Sequence, residues 1–239
     1  MRAAAGESEW AARRSDDNMR LLAAQNPNLA AEEVWAHPTP GPERGGLLIA
    51  APDAPESLGS ERYWQVVVLI ISHDAGGTVG IILNRPSGLV MGRKQGGLPF
   101  DMAGGPPGLQ DVFADNRVYC GGFLAQQVIH VIHGHKLPGA MEVVPGVYAG
   151  GENEAVARVA GGQLPSHDFK FFAGALAWEP GELEAQIKAG GWITAAASRP
   201  LLLKQVLQLP KPLWMEVMEL LGGSYAAAAK AARKDEGDE

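Results

Sequence analysis

The chain has 239 residues, of which 46% are hydrophobic, and its formal net charge is -7. This composition is typical of a globular protein with a sizeable core. The acidic balance argues against nucleic acid as the main partner, because binding to phosphate backbones depends on Lys and Arg. No run of about 18 apolar residues is present, so we expect no membrane-spanning helix. The single cysteine, Cys120, excludes an intramolecular disulfide and is typical of a reducing compartment.

The N-terminal part, residues 1–44, is predicted to be an extension that ends in a proline-rich connector. Its first twenty residues lack the apolar stretch of a secretory signal and are more acidic than a typical organelle transit peptide. The prolines between residues 37 and 42 forbid a helix there, because each one fixes φ and biases the preceding residue toward extended structure. We expect a single domain over residues 45–223 and a charged C-terminal tail over 224–239.

Short apolar runs rich in β-branched residues predict the strands. The densest run, 63–72, is apolar at nearly every position, which is typical of a central strand buried on both faces. A glycine-rich turn and a second apolar run, 78–83, follow it directly, so the two should pair as an antiparallel hairpin. Further strands are predicted over 45–51, 117–121, 128–134, 141–150, 168–178 and 192–198.

Helices are predicted between and after these strands. Residues 151–163 fit a short helix with a glycine stop, and a second helix should begin near Pro180 and end at Gly190-Gly191. Two more are expected over 201–209 and 211–223.

The order of these elements indicates the fold class. Strands occur in clusters, with helices between and after them and without a regular βαβ alternation, which favours an α+β fold with a mixed, strongly curved sheet. Residues 87–116 are rich in Gly and Pro and look like a long surface loop.

Motifs for common chemistries are absent or weak. Neither a G-x-G-x-x-G nor a P-loop is present, and the G-x-S-x-G of many hydrolases is missing as well. His133 and His135 should share one side of a strand and His130 the other, and no Asp, Glu or Cys nearby completes a metal shell. We therefore predict no metal site and no cofactor. A Cys120–His133 pair of nucleophile and base is the weaker alternative to a buried structural thiol.

The predicted strand 78–83 ends in Asn84-Arg85-Pro86, which permits two interpretations. Pro86 cannot donate to a β-ladder and Asn84 favours turns, so this is a strand-end corner in which Arg85 bonds backbone or a carboxylate. Alternatively, Asn84 and Arg85 face a ligand, with Arg85 as an anion contact and His133 as acid or base. The corner is the preferred interpretation.

Several motifs, taken together, resemble the YqgE/AlgH family, and the resemblance spans about residues 45–223. The segments WAHPTPGPERGGLLIA and LWMEVMELLGGSYAAAAKAAR are similar to the plant and algal branch. Phe123 stands where the family usually has proline. The positions that match the family motifs are the candidate site residues: Asn84, Arg85, Pro86, Gly121, Gly122, His133, Trp178 and Gly181.

The resemblance implies a compact α+β fold with a partly barrel-like sheet and flanking helices. The family has no established biochemical activity, so it supplies no catalytic residue. Bacterial members have been linked to transcriptional regulation. The plant and algal branch implies a chloroplast protein, with the cytoplasm as the alternative location.

These observations lead to hypotheses from different functional classes. The preferred one is a non-catalytic regulatory or assembly factor in the plastid that acts on a protein partner. The alternative is an enzyme, small-molecule-binding or hydrolytic, that uses Asn84, Arg85 and His133. A transcription-related regulator is the third hypothesis, which the acidic chain makes less suited to direct contact with nucleic acid.

Overall fold

The structure is a computed structural model that describes residues 20, 23–24, 26–93, 96–99, 105–206 and 211–235, with side chains as far as residue 232. Residues 1–19, 21–22 and 25 of the predicted N-terminal extension lie outside the described residues. The strands are β1 (Ala36–Pro38), β2 (Leu47–Ala50), β3 (Val67–Asp74), β4 (Gly77–Ile82), β5 (Pro86–Val90), β6 (Arg117–Cys120), β7 (Leu124–His133), β8 (Ala140–Val144), β9 (Val147–Gly150), β10 (Lys170–Trp178) and β11 (Trp192–Ala197).

Short helices connect and cover these strands. Their bounds within the described residues are α1 (Pro27–Ala30), α2 (Ala54–Ser57), α3 (Leu109–Val112), α4 (Glu152–Ala160), α5 (Glu182–Lys188), α6 (Arg199–Leu203), α7 (Leu213–Leu221) and α8 (Gly223–Asp235). Two 3-10 turns, Glu61–Tyr63 and Ser166–Asp168, precede β3 and β10.

All eleven strands belong to one sheet, and β10 is shared between its two halves. The first half has the order β1-β11-β2-β3-β4-β10 with antiparallel neighbours. The second half has the order β5-β6-β10-β7-β9-β8, in which β6 and β10 are parallel. The two halves use different parts of β10, because residues 176–178 pair with β4 whereas residues 171–173 pair with β6.

This architecture confirms the predicted α+β class with a mixed, strongly curved sheet in one domain. The sheet curls without closing into a barrel. Among the described strands, β1, β5 and β8 each pair with one neighbouring strand only.

The central strands are buried on both faces, as predicted, but the run 63–72 forms a strand only from Val67, because residues 61–63 form a 3-10 turn and Gln65 has a positive φ. Alternate side chains of β2 and β3 point to opposite sides. Leu47 and Leu69 pack with α6, α7 and α8 on one face, and Leu48 and Val68 pack with α2 and α5 on the other. A third apolar cluster lies in the second half of the sheet, where α3 and α4 cover the start of β10.

The prediction of a surface loop over residues 87–116 is wrong for much of its length. The segment contains β5 and α3, and the side chains of Met91 and Phe113 are fully buried in the third cluster. Residues 94–95 and 100–104 lie outside the described part of the chain. The burial of Met91 and Phe113 depends on β10 and α4, which are distant in sequence.

Three other segments differ from prediction in detail. The run 141–150 forms two strands, β8 and β9, because Gly146 adopts a positive φ of 75° at the turn between them. Helix α5 begins at Glu182 with Gly181 at its N-cap, so Pro180 precedes the helix. The predicted helix 201–209 ends at Leu203, where Lys204 turns to extended backbone, and residues 207–210 lie outside the described part.

Both flanking segments contribute to the fold. The connector supplies β1, which pairs with β11 from Ala36 opposite Ala197. In α8, Ala229 is 2% exposed and packs with the cluster around α7. The domain boundaries at residues 45 and 223 stay predictions.

Candidate functional site

Asn84 continues the β3–β4 ladder with its side chain. Its Oδ1 accepts a hydrogen bond from the Val67 N–H at 2.9 Å, and its Nδ2 donates to the Gln65 carbonyl at 2.8 Å. Gln65 has a positive φ of 50°, a conformation that non-glycine residues adopt at a cost. The Asn84 amide therefore holds the backbone that leads into β3 and has both of its polar ends occupied.

Arg85 is tied to its surroundings by both side chain and main chain. Its Nη2 donates to the Trp64 carbonyl, and its own carbonyl accepts from the Cys120 N–H at 2.7 Å. The guanidinium is half-buried, and burial lowers the pKa of Arg85. Pro86 then opens β5 opposite Tyr119 in β6. Asn84-Arg85-Pro86 thus carries the chain from one half of the sheet to the other.

Gly121 and Gly122 lie directly after β6, where the chain crosses the middle of β10. The Gly121 N–H donates to the Ala173 carbonyl and the Gly121 carbonyl accepts from the Ile82 N–H, both at 2.8 Å. A Cβ on Gly122 would stand 1.9 Å from the carbonyl carbon of Ala175, and one on Gly121 would stand 2.4 Å from the Gly174 oxygen. Only residues without a side chain permit this approach.

Two large apolar side chains are exposed beside this crossing. Trp64 is 46% exposed and Leu124 is 53% exposed. They follow Tyr63 and Phe123, whose rings meet edge to face with centroids 5.9 Å apart. The Arg62 guanidinium lies 5.2 Å from the centre of the Phe123 ring. We call the surface formed by Arg62, Trp64, Phe123 and Leu124 the corner surface.

His133 is fully buried and engaged by backbone groups at both ring nitrogens. Its Nε2 donates to the Gly150 carbonyl at 2.9 Å, and its Nδ1 accepts from the His135 N–H at 3.2 Å. Burial lowers the pKa of His133, so the ring is held neutral and in one tautomer. Cys120 instead places its Sγ 3.5 Å from the Gly122 carbonyl, so the Cys120–His133 pair is not formed.

Trp178 and Gly181 shape the turn from β10 into α5. The indole N–H groups of Trp178 and Trp192 both donate to Oε1 of Gln186 at 2.9 Å, and their rings meet edge to face. Gly181 takes the left-handed N-cap conformation with φ of 82°. This arrangement anchors α5 to the sheet and leaves both indole N–H groups satisfied.

The structure thus separates the candidate residues into groups. Asn84, Arg85 and Pro86 meet the Gly121-Gly122 pair at the junction of the two half-sheets. Trp178 and Gly181 lie at the far end of β10. His133 packs on Phe169 and Tyr148 and shares none of the hydrogen bonds of Asn84 and Arg85 among the described residues.

A cleft of about 730 Å³ lies at the other end of β10, away from these motifs. His135 Nε2 bonds Asp168 Oδ2 at 2.8 Å on its wall, and Arg199 pairs there with Glu32. Its lining includes Tyr119, His135, Asp168, Lys170, Arg199 and Lys204.

Lys170 is the unusual group of this cleft, because its ammonium is buried. The side chain is 2% exposed, and its Nζ donates to the Lys204 carbonyl at 2.9 Å. Burial, followed by the nearby charge of Lys204, lowers the pKa of Lys170 to about 7. Lys204 in contrast is paired with the buried carboxylate of Glu216.

None of the sequence motifs points to Lys170, although the alternation of residues along the predicted strand does. In the strand 168–178, residues 170, 172, 174, 176 and 178 share one face by alternation. Beyond Asp168 and Lys170 at its start, that face holds only Phe, Gly, Leu and Trp. A lysine on a mostly apolar strand face indicates a buried amine.

Neither a metal-ligand cluster nor a membrane-spanning helix is found among the described residues. No group of three His, Cys, Asp or Glu side chains there converges so that it could hold a metal ion. None of the helices in those parts of the chain is both long and apolar enough to span a membrane.

Known proteins that are similar to this chain share its whole domain. A family model described as AlgH-like matches residues 47–226. A UPF0301 protein of Chlamydia muridarum is 31% identical over 192 residues, which cover 77% of this chain and 90% of the relative. A UPF0301 protein of Chlorobaculum tepidum is 27% identical over 190 residues, covering 78% and 91%.

Solved structures have the same fold. The solution structure of the AlgH protein from Pseudomonas aeruginosa has a TM-score of 0.52 at 23% identity and covers 82% of this chain and 90% of that one. The crystal structure of a Corynebacterium diphtheriae protein has a TM-score of 0.55 at 22% identity, with 79% and 92% covered. The chain therefore belongs to the AlgH-like family, whose members include the UPF0301 proteins.

Proposed function

We propose that the protein is a non-catalytic regulatory or assembly factor of the plastid that binds a protein partner through the corner surface. The observation that carries the proposal is that Asn84 and Arg85 bond the carbonyls of Gln65 and Trp64. These two side chains position the segment that presents Trp64.

The exposed groups of the corner surface are those that protein interfaces favour. Trp and Arg are enriched among the interface residues that contribute most of the binding free energy. An exposed apolar side chain beside them adds apolar area that a partner can remove from water. Trp64 and Leu124 are the two most exposed large apolar side chains among the described residues. Because the side chains of Asn84 and Arg85 hydrogen-bond the backbone of the Trp64 segment, little backbone entropy is lost when a partner binds it.

The enzyme hypothesis with Asn84, Arg85 and His133 has less support. A general acid or base needs a free ring nitrogen within reach of a substrate, and both nitrogens of His133 bond backbone groups. Asn84 likewise has both polar ends bonded to backbone.

Affinity capture from a plastid extract tests the binding role. The full chain, a Trp64→Ala/Leu124→Ala double variant and a Trp35→Ala control are immobilised at equal density. Trp35 is 39% exposed but precedes β1, a terminal strand of the sheet that contributes no residue to the corner surface. We expect a stable protein partner to be captured by the wild type and by the Trp35 control and to be lost with the double variant. Equal recovery on all three, or no stable partner on the wild type, contradicts the proposal.

The plastid location rests on the similarity of the flanking segments to the plant and algal branch. Cell fractionation with an antibody against the chain tests it. Enrichment with a plastid marker is expected, and recovery with a cytosolic marker contradicts the location without affecting the binding role.

A further inference from the structure

Lys170 lies at the floor of the cleft and is enclosed by aromatic rings. Its Nζ lies 5.6 Å from the ring centres of both Tyr119 and Phe172. The Lys204 carbonyl is its hydrogen-bond acceptor, and Lys170 forms no ion pair with any described carboxylate. An ammonium without a carboxylate partner is costly to bury, which favours the neutral amine.

The charges around Lys170 act in the same direction. Lys204 is the cation that faces it, and behind Lys204 stand Glu216, which pairs with that cation, and Lys211. The carboxylate of Glu216 therefore compensates the charge of Lys204 and not that of Lys170. With the pKa of Lys170 lowered to about 7, a far larger share of its Nζ groups is unprotonated at neutral pH than in an ordinary lysine, which is almost fully protonated.

We propose that the cleft is a binding site for small carbonyl compounds, aldehydes or 2-oxo acids, which Lys170 holds covalently as an imine. The Nζ lone pair attacks the carbonyl carbon and forms a C–N bond, and a proton passes from nitrogen to the carbonyl oxygen to give a carbinolamine. The C–O bond then breaks, the oxygen leaves as water with the second amine proton, and a C=N bond remains. The step consumes no oxidant or reductant and is reversible by water.

The cleft has the size and lining that such a ligand needs. Its volume of about 730 Å³ is within the range of small-molecule sites, about 300–1,000 Å³. The Tyr119 hydroxyl, which bonds Gln205 Oε1 at 2.8 Å, and the His135–Asp168 pair line it together with Lys170. A buried amine beside polar groups and aromatic rings is the environment in which lysine acts as a nucleophile.

This site is independent of the proposed binding role at the corner surface. The corner surface depends on Trp64 and Leu124, whereas the cleft lies where β10 begins. Either assignment can fail without the other.

Reductive trapping of the full chain tests the inference. The protein is incubated at about pH 7 with glyoxylate, or separately with acetaldehyde, in the presence of sodium cyanoborohydride, and labelled lysines are mapped by peptide mass spectrometry. We expect Lys170 to be labelled roughly tenfold or more faster than the exposed Lys188, because its amine is far less protonated. Both probes carry an aldehyde carbon, so a larger Lys170-to-Lys188 labelling ratio with glyoxylate than with acetaldehyde shows that the cleft also binds the carboxylate of an oxo acid.

Two variants serve as controls. In Lys170→Met the fast label should disappear while the slow labelling of other lysines persists, and Lys188→Met should retain the fast label. Labelling of Lys170 by both probes at or below the rate of Lys188 overturns the inference. That comparison is made within the wild-type chain, so it does not depend on whether a variant folds.

Discussion

Asn84 shows how one side chain substitutes for a strand residue. Its amide supplies the acceptor for Val67 and the donor for Gln65 that a further backbone pair would have supplied. A Gln at this position would be one methylene longer and an Asp would lack the N–H donor, so the amide of Asn is suited to the corner. Arg85 acts on the adjacent carbonyl, and the two residues thus position one turn.

Replacing Asn84 by Ala should destabilise the fold. Both hydrogen bonds are lost and a half-buried N–H and C=O remain without partners, which costs about 1–3 kcal/mol. Urea unfolding measures the change, with Asn28→Ala as a control because Asn28 is exposed. A loss no larger than that of the control would mean that the Asn84 side chain does not hold the corner.

Lys170→Met should change how stability depends on pH. The folded-state pKa of Lys170, about 7, lies below that of an unfolded lysine, so the wild type gains stability as pH rises above about 7. Below that pH the buried ammonium is a cost that Met removes. We expect the melting temperature of the variant, relative to wild type, to be higher at about pH 6.5 than at about pH 8.5. An equal difference at both pH values would contradict a buried amine with a lowered pKa.

At the scale of elements, β10 organises the sheet. Its first residues pair with β6 and β7 and its last with β4, and Gly174 with φ of 72° marks the change between the two halves. The chain crosses β10 at Gly121-Gly122, directly after β6, where only backbone fits.

Gly122→Ala should therefore disrupt the crossing. Its Cβ would overlap the Ala175 backbone, and separating the strands should cost roughly 3 kcal/mol or more. The yield of folded protein and its melting temperature report the effect. Gly41→Ala is the control, since a Cβ there meets no atom within 4 Å, and similar stability of the two variants would refute the close approach.

How far the sequence predicts these elements depends on where their burial comes from. Strands β3 and β4 were predicted because their own residues are apolar at successive positions. The chain from Pro86 to Phe113 was not, because Met91 and Phe113 are buried by elements distant in sequence. The parallel pairing of β6 with β10 is likewise non-local.

Only part of the candidate site could be predicted, because the rest depends on contacts between residues that are distant in sequence. Alternation and turn chemistry favour a corner at Asn84-Arg85-Pro86, and the structure has Arg85 on a backbone carbonyl there. The exposure of Trp64 could not be predicted, because it depends on hydrogen bonds from residues about twenty positions away. Lys170 was detectable by strand alternation, but the cleft above it combines distant segments.

On the scale of the whole molecule, the flanking segments complete the domain. Strand β1 extends the sheet beyond β11, and α8 covers the cluster around α7. The corner surface and the cleft lie toward different ends of β10, so a single sheet can support two separate sites.

Ala229→Glu should loosen the C-terminal helix. Ala229 is 2% exposed, and a carboxylate there would be buried without a partner or would push α8 off the core, at a cost of about 2 kcal/mol or more. Thermal unfolding measures the loss, and Ala227→Glu, at an exposed position of α8, should change little. Equal effects of the two substitutions would show that α8 does not pack on the core in solution.

The central claim is that Arg85 acts by holding Trp64 rather than by touching a ligand. A double-mutant cycle with Arg85→Met and Trp64→Ala tests it most directly, with the amount of partner captured from plastid extract as the measured quantity. Arg85→Met should reduce capture in the wild-type background and cause no further reduction in the Trp64→Ala background. A reduction by the same factor in both backgrounds would show that Arg85 contributes to binding independently of Trp64 and would contradict the claim.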